Sequence, residues 1–432
     1  MYSGPRLVAL RQIKSKCKAV IGYRYWWLSP VTIAGLIQFA VTFRALRRPA
    51  PLVLDVDAAL FQHAGWYILQ GAIPYVHIWD PTPPLAFFIP LLLTLFTGGD
   101  VLTLHVLSLL LTGLVAVLTV LLIALLIASL TADRLAGILG GLLMYTFVYY
   151  YNHATLGFGF KHFTLFFGLL GLWLALRRHP FLSGMAVAAS ALIWLPSAIF
   201  ILLGLGMVYT GCGRRQSLLA AAGISLTAAV VLAPIAYWEA LQLMLGQMFA
   251  PLVVSEDLAF IMRFKKAAYF LEVGALFLIA AVFMVVQIFT RRQWHLWWVV
   301  AGTSYFTVQI LFLDFDNFPD LYSIMAFSSV LFGLFVARTS GQTRHVLAVC
   351  VLATILIAPL VHYGLGMSDP NAEIPETRVV EGRVVPSMQT IYWQKIKPET
   401  CHYRLSGIEQ AWLASMKARG VDVSCDGAGH LP

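Results

Sequence analysis

Charge is scarce in this chain. Of 432 residues, 11% are charged and 60% are hydrophobic, whereas a soluble domain carries about 25% charge and less than half apolar residues. The shortage excludes an ordinary water-soluble fold. Cysteine is scarce as well, with 5 in all. None stands at metal-type spacing, and Cys17, Cys212 and Cys350 fall in or beside apolar runs, so no zinc motif organises the chain. No two histidines stand at i, i+4, so His63, His77 and His105 compose no helical metal or haem pair. The apolar runs far exceed the roughly 10-residue strands of a membrane barrel. No fixed-period repeat is visible. No small-residue cleavage site follows the first apolar run, which reads as an uncleaved anchor.

What is present is a succession of long apolar runs. In lipid every backbone polar group needs an internal partner, which leaves helices. The expectation is an all-α polytopic membrane protein with about eleven spans: 27–43, 101–130, 135–151, 163–176, 181–194, 197–209, 218–238, 267–288, 296–312, 321–336 and 345–363. The net charge of +9 invites a nucleic-acid partner, but the basic residues fall between the runs, where the positive-inside rule places them. Arg6, Arg11, Lys14, Lys16, Lys18 and Arg24 put the N-terminus in the cytoplasm. Segment 85–96 is apolar but well short of the roughly 20 residues a span takes, and reads as a re-entrant or surface helix on the outer side. With it non-spanning, Arg134, Arg177-Arg178, Arg214-Arg215, Arg291-Arg292, Arg338 and Arg344 all fall inside. With it spanning, several of those loops would be exported.

Two regions follow from this map. Residues 1–365 form the membrane domain, with a first external loop over 45–100, and residues 366–432 form an external, partly helical tail. In the tail, Ser406-Gly407-Ile408-Glu409 fits a capping box. Ile408, Trp412 and Met416 make an apolar stripe ended by Gly420. Cys401 and Cys425 flank that helix on the outer side, where they stand either as a disulfide or as free thiols.

The stretch with the densest chemistry is 54–84, LDVDAALFQHAGWYILQGAIPYVHIWDPTPP. Asp55 and Asp57 open it. Leu60, Ala64, Tyr67 and Ile68 share a helical stripe, and Gly71 stands where such a helix stops. A short amphipathic helix at a membrane surface, followed by a proline-pinned turn, is the physical reading.

An outer loop opening on Asp55-Val56-Asp57, continuing through Gly71-Ala72-Ile73-Pro74-Tyr75 and ending in Trp79-Asp80-Pro81-Thr82-Pro83-Pro84 resembles the first external loop of GT-C glycosyltransferases. The similar branch holds protein O-mannosyltransferases, aminoarabinose lipid A transferases and archaeal dolichyl-phosphate-mannose mannosyltransferases. The resemblance implies a GT-C-like bundle. It also implies an enzyme that takes one sugar, mannose at the family level, from a polyprenyl- or dolichyl-phosphate carrier. The sugar goes to an external acceptor hydroxyl on a glycan, protein or lipid, with inversion. The family's catalytic acid lies about fourteen residues, roughly four helical turns, before the glycine that matches Gly71. That points to Asp57, with Asp55 beside it. The family's following Glu is Ala58 here. A second external acid is also missing, since 152–162 offers Lys161 and His162 instead. A divalent metal is therefore not indicated, and no cofactor beyond the lipid-phosphate sugar is implied.

Each candidate has a plainer alternative. Asp57 reads as a helix N-cap or as the base that takes the acceptor proton. Tyr75, Trp79 and Asp80 read as sugar contacts or loop-orienting groups, or as interface anchors. Lys161, His162, Arg263 and Lys265, outer-side basic groups, read as holders of the lipid phosphate or as headgroup-binding charges. Asp314, with Asp316 and Asp320, reads as an acceptor contact or a solvated acidic loop. A transporter or flippase is the rival function, but it would place ionisable groups near mid-membrane. The expected spans are nearly free of charge, Glu272 being the main exception.

Overall fold

The computed structural model describes residues 25–47, 54–78, 80–253, 280–313, 318–364, 372–373, 377–380 and 383–386. Trp79, Arg263, Lys265, Glu272, Asp314, Asp316, Cys401, Cys425 and the tail helix lie outside the described residues. The described part is overwhelmingly helical. α1 is Leu28–Leu46, α2 Val56–Leu69, α3 Leu85–Thr97, α4 Val101–Thr131, α5 Arg134–Leu142, α6 Val148–His153, α7 Phe160–Leu176 and α8 Pro180–Ala191. α9 is Ile199–Cys212, α10 Arg214–Tyr237, α11 Leu241–Val253, α12 Ala280–Thr290, α13 Trp297–Val308, α14 Tyr322–Val336 and α15 Gly341–Gly364. Among the described residues, six helices are long and apolar enough to cross a membrane, and several shorter apolar ones accompany them.

α4 is the spine. Its 31 residues span about 46 Å at 1.5 Å per residue, and α1, α5, α7 and α14 pack around it. Expected span 135–151 is broken. α5 ends at Leu142, a 3-10 turn covers Leu143–Thr146, and Phe147 is extended before α6 begins. The break turns Tyr145 toward α1, where its hydroxyl donates to Gln38 Oε1 at 3.1 Å. Tyr150 donates to the Ala116 carbonyl of α4 at 3.2 Å.

The loops collect at two ends. At one end Arg344 pairs with Asp133 at 2.8 Å, and Arg338 donates to Gln287 and Gln293. At the other, Lys161 pairs with Asp320, Asp80 meets Gln247, and Tyr363 donates to Asn152. Strand β1 (Leu54–Asp55) pairs antiparallel with β2 (Ala372–Glu373), so the segment after α15 returns to that same end. A second small ladder joins β3 (Thr377–Val380) to β4 (Arg383–Pro386).

α2 departs from the expected surface helix. It runs to Leu69, and Gly71 follows at φ +98°, the left-handed value that makes it a stop. However, Phe61, Gln62, His63 and Ala64 are all buried in succession, so the helix is enclosed on most sides and presents no broad polar face. α3 encloses it from one side. At 13 residues with Pro90 inside, α3 is about 20 Å long, short of the roughly 30 Å hydrocarbon core. Gly65 lets the two helices touch: a Cβ there would lie 2.7 Å from Leu91 N and from Pro90 C. Both are backbone atoms, which cannot rotate away. Gly65→Ala should therefore cost about 1–3 kcal/mol by overpacking. Gly35→Ala in α1, where no atom lies within 4 Å, should be neutral or slightly stabilising. Thermal unfolding of the two variants in detergent measures the contrast.

Candidate active site

Asp55 organises the site. Its backbone is extended, and its Oδ2 accepts from Asp57 N at 3.1 Å and Ala58 N at 3.3 Å, capping α2. Its Oδ1 lies 3.5 Å from His153 Nε2, and its own N–H donates to the Leu156 carbonyl at 3.1 Å. With these contacts Asp55 holds the start of α2 against the 152–162 loop. The cap role thus falls to Asp55, which leaves the Asp57 carboxylate for other work.

Asp57 sits in the first turn of α2, partly exposed. The helix N-terminus favours its charge. Burial opposes it more strongly, and the Asp55 and Asp80 carboxylates add to that opposition. Lys161 and His153 pull the other way, and the net effect raises the Asp57 carboxyl to about 7. A carboxylate poised near neutrality suits proton abstraction. Burial also lifts Asp80, to about 6, although Thr82 holds it down through a 2.7 Å bond from its N–H to Asp80 Oδ1.

The proline-rich turn is a built object. Tyr75 is fully buried at φ +64°, and its hydroxyl donates to the Thr82 carbonyl at 2.7 Å. Gln247 of α11 reads both ends of the turn: its Oε1 accepts from Asp80 N at 3.0 Å and its Nε2 donates to the Tyr75 carbonyl at 2.8 Å. Tyr75 is therefore removed from the substrate-contacting set, since it has no exposed surface and its hydroxyl closes the turn. Asp80 keeps the loop-orienting role.

Lys161, in the first turn of α7, is 11% exposed and forms an ion pair with the buried Asp320. Its ammonium also stands 5.3 Å from the Trp194 ring and 5.4 Å from that of Phe160. Asp320 is thus not part of a solvated acidic loop. His162 is corrected too. It is fully buried, its Nε2 lies 2.8 Å from the Tyr150 carbonyl, and its ring packs among Tyr150, His153 and Tyr322, so it braces the site from behind and meets no substrate. Of the expected residues, the structure brings together Asp55, Asp57, Asp80 and Lys161. Sequence reasoning missed His153 and Gln247, and it named Asp320 without its partner Lys161. His153 shares the polar loop that yielded Lys161, and Gln247 is one of two amides, with Gln242, in an otherwise apolar helix, a signal worth following in a membrane protein. Among the described residues no group of three or more His, Cys, Asp or Glu is placed to hold a metal ion.

Fold and site together describe a polytopic helical membrane protein with carboxylates and a paired lysine gathered at one end. The resemblance to lipid-phosphate-sugar glycosyltransferases is borne out: the family model described as DolP-mannose mannosyltransferase matches residues 71–233. The chain is also similar to a dolichol phosphate-mannose mannosyltransferase of Haloferax volcanii, with 26% identity over 420 residues, 88% of this chain and 92% of that one. Two solved structures overlap at 14% identity and a TM-score of 0.47 each. One is ArnT from Cupriavidus metallidurans bound to undecaprenyl phosphate, covering 90% of this chain and 71% of that one. The other is the Archaeoglobus fulgidus oligosaccharyltransferase tethered to an acceptor peptide, covering 79% of this chain and 54% of that one, so the chain spans about half its length.

Proposed function

We propose that this protein is an inverting membrane mannosyltransferase of the GT-C type. It moves one sugar from a polyprenyl- or dolichyl-phosphate carrier to the hydroxyl of an extracytoplasmic glycan, protein or lipid acceptor. The observation that carries this is the placement of Asp57, a half-buried carboxylate raised toward neutrality, within electrostatic reach of Lys161. In the reaction the acceptor oxygen attacks the anomeric carbon and its proton passes to Asp57. The bond from that carbon to the phosphate oxygen breaks, and the lipid phosphate leaves with the bonding electron pair, its growing charge met by Lys161. Asp55, held by His153 and the α2 backbone, fixes where Asp57 stands. The transporter reading draws no support from the matched family model or the Haloferax volcanii relative, both described as mannosyltransferases.

The site end is assigned to the extracytoplasmic side, because Arg338 and Arg344 lie at the opposite end and basic loops face the cytoplasm. On that assignment the N-terminus is cytoplasmic, and the C-terminal region after 365 is extracytoplasmic with β2 lying on the site side.

The test is transfer by purified protein from a mannosyl polyprenyl phosphate to an extracted membrane acceptor, followed across pH. A base must be deprotonated to act, so the rate should rise with pH through a midpoint near 7, the raised value of Asp57. Stability runs the other way. A carboxyl raised in the folded state binds more protons folded than unfolded, so its contribution is full below 3.8 and lost as pH climbs to about 7. A flat rate profile from pH 5 to 8 would contradict the assignment.

A further inference from the structure

The 152–162 loop joins the two halves of the site. At Leu156 it accepts the Asp55 N–H at the head of α2, and after Gly159 it enters α7, which carries Lys161. Between these points it turns at Gly157, at φ +117°. A Cβ on Gly157 would stand 2.8 Å from Gln62 Nε2 and 3.0 Å from the Ala58 Cβ, both on α2, so the elbow is pressed onto the catalytic helix and only glycine fits it. On the far side stands Thr112 of α4. Its hydroxyl lies 3.0 Å from the Gly157 carbonyl and accepts from Gly159 N at 3.2 Å. One oxygen therefore grips the loop on both sides of the buried Phe158.

A threonine in a membrane helix ordinarily satisfies itself by donating to the carbonyl four residues back, and Thr112 has that option in Ser108, at 2.8 Å. The amide of Gly159 changes the reckoning. It is a buried backbone donor, and such donors are costly to leave without an acceptor. The polar face of α4 continues outward through Ser108 and His105, both buried, whose Oγ and Nδ1 have no hydrogen-bond partner among the described residues. Thr112 is the member of this face that holds the loop: its oxygen accepts from Gly159 N, and its one proton is shared between the Ser108 and Gly157 carbonyls.

We infer that Thr112 is a positioning residue for the transfer reaction: its hydroxyl fixes the Gly157–Gly159 segment and so sets the spacing between Asp57 on α2 and Lys161 on α7. The inference rests on the proposed roles of those two side chains. Thr112 touches no substrate. It acts through the loop.

The test compares Thr112→Val, which keeps the shape and loses the hydroxyl, with Thr112→Ser, which keeps the hydroxyl, and with Ser108→Ala as a control on the same face. A displacement of the order of 1 Å costs about 100-fold in rate, so T112V should lose about 10- to 100-fold in kcat with KM for the lipid donor nearly unchanged. T112S should restore most of it, and S108A should behave as wild type. A second readout needs no turnover. The charged groups facing Asp57 are Asp55, Asp80, His153 and Lys161. If the loop relaxes and Lys161 recedes, the Asp57 carboxyl band in the infrared, assigned by its loss in Asp57→Asn, should titrate at higher pH in T112V and return in T112S. Should T112V fail to fold, Thr112→Ala is titrated in its place. Wild-type kcat and an unmoved carboxyl midpoint in the valine or alanine variant overturn the inference, as does T112S behaving like T112V. Transfer that persists in D57N would instead sink the underlying reading of the site, which keeps the two failures apart.

Discussion

Asp57→Asn should lower kcat by about 10²–10⁴-fold, the range a positioned general base contributes, while the protein stays folded and still binds the lipid donor. The two outcomes separate because the neighbouring aspartates divide the labour. The cap of α2 is Asp55, which accepts from the backbone of Asp57 and Ala58, so an amide at 57 leaves those bonds in place. Removing a carboxyl whose ionised form is disfavoured by burial and by two neighbouring acids should leave unfolding at neutral pH unchanged or slightly harder. The pH dependence of the rate near 7 should vanish with it. Asp55→Ala should show the reverse pattern. It strips the cap, worth about 0.5–2 kcal/mol, and the contact with His153, so the melting temperature should fall first and activity with it. Circular dichroism melts and a radiolabelled transfer assay on the same preparations decide. More than a tenth of wild-type transfer surviving in D57N would remove Asp57 from the chemistry.

What the sequence disclosed depended on whether the physics was local. The stop of α2 before Gly71 and the shortness of α3 rest on neighbours within a few residues, and both are present as expected, while the cap stands two residues earlier than the Asp57 reading, at Asp55. The grouping of loops at two ends also follows, since alternate apolar runs and basic loops encode it. The pairings that build the site were not legible. Lys161 meets Asp320 across 159 positions of chain, and Gln247 reaches Tyr75 across 172. The break at Phe147 escaped because 135–151 carries no proline and its apolar character is unbroken, while the cause lies in partners for Tyr145 and Tyr150 on other helices. The amphipathic reading of α2 failed for a related reason: periodicity shows which face is apolar, and only the packed neighbours show that the remaining faces are covered.

Lys161→Met should abolish transfer by at least about 100-fold and destabilise the protein at the same time. Restoring one of these properties without the other is the sharper test. Asp320 is 1% exposed and Lys161 11%, so deleting the lysine leaves a buried carboxylate without its ammonium, a change that costs about 3–5 kcal/mol in such pairs. Adding Asp320→Asn removes the stranded charge, and the double variant should recover much of the lost melting temperature. It should not recover transfer, because the leaving phosphate still lacks its cation. Asp320→Asn alone should fold and lose less activity than Lys161→Met, since the ammonium remains but is held less firmly against the rings of Trp194 and Phe160. Lys161→Arg should rescue only weakly, because a planar guanidinium does not reproduce a compact ammonium beside those rings. Were the double variant to regain both stability and activity, Lys161 would be a structural partner of Asp320 and nothing more, and the phosphate cation would have to be sought elsewhere at the same end of the bundle.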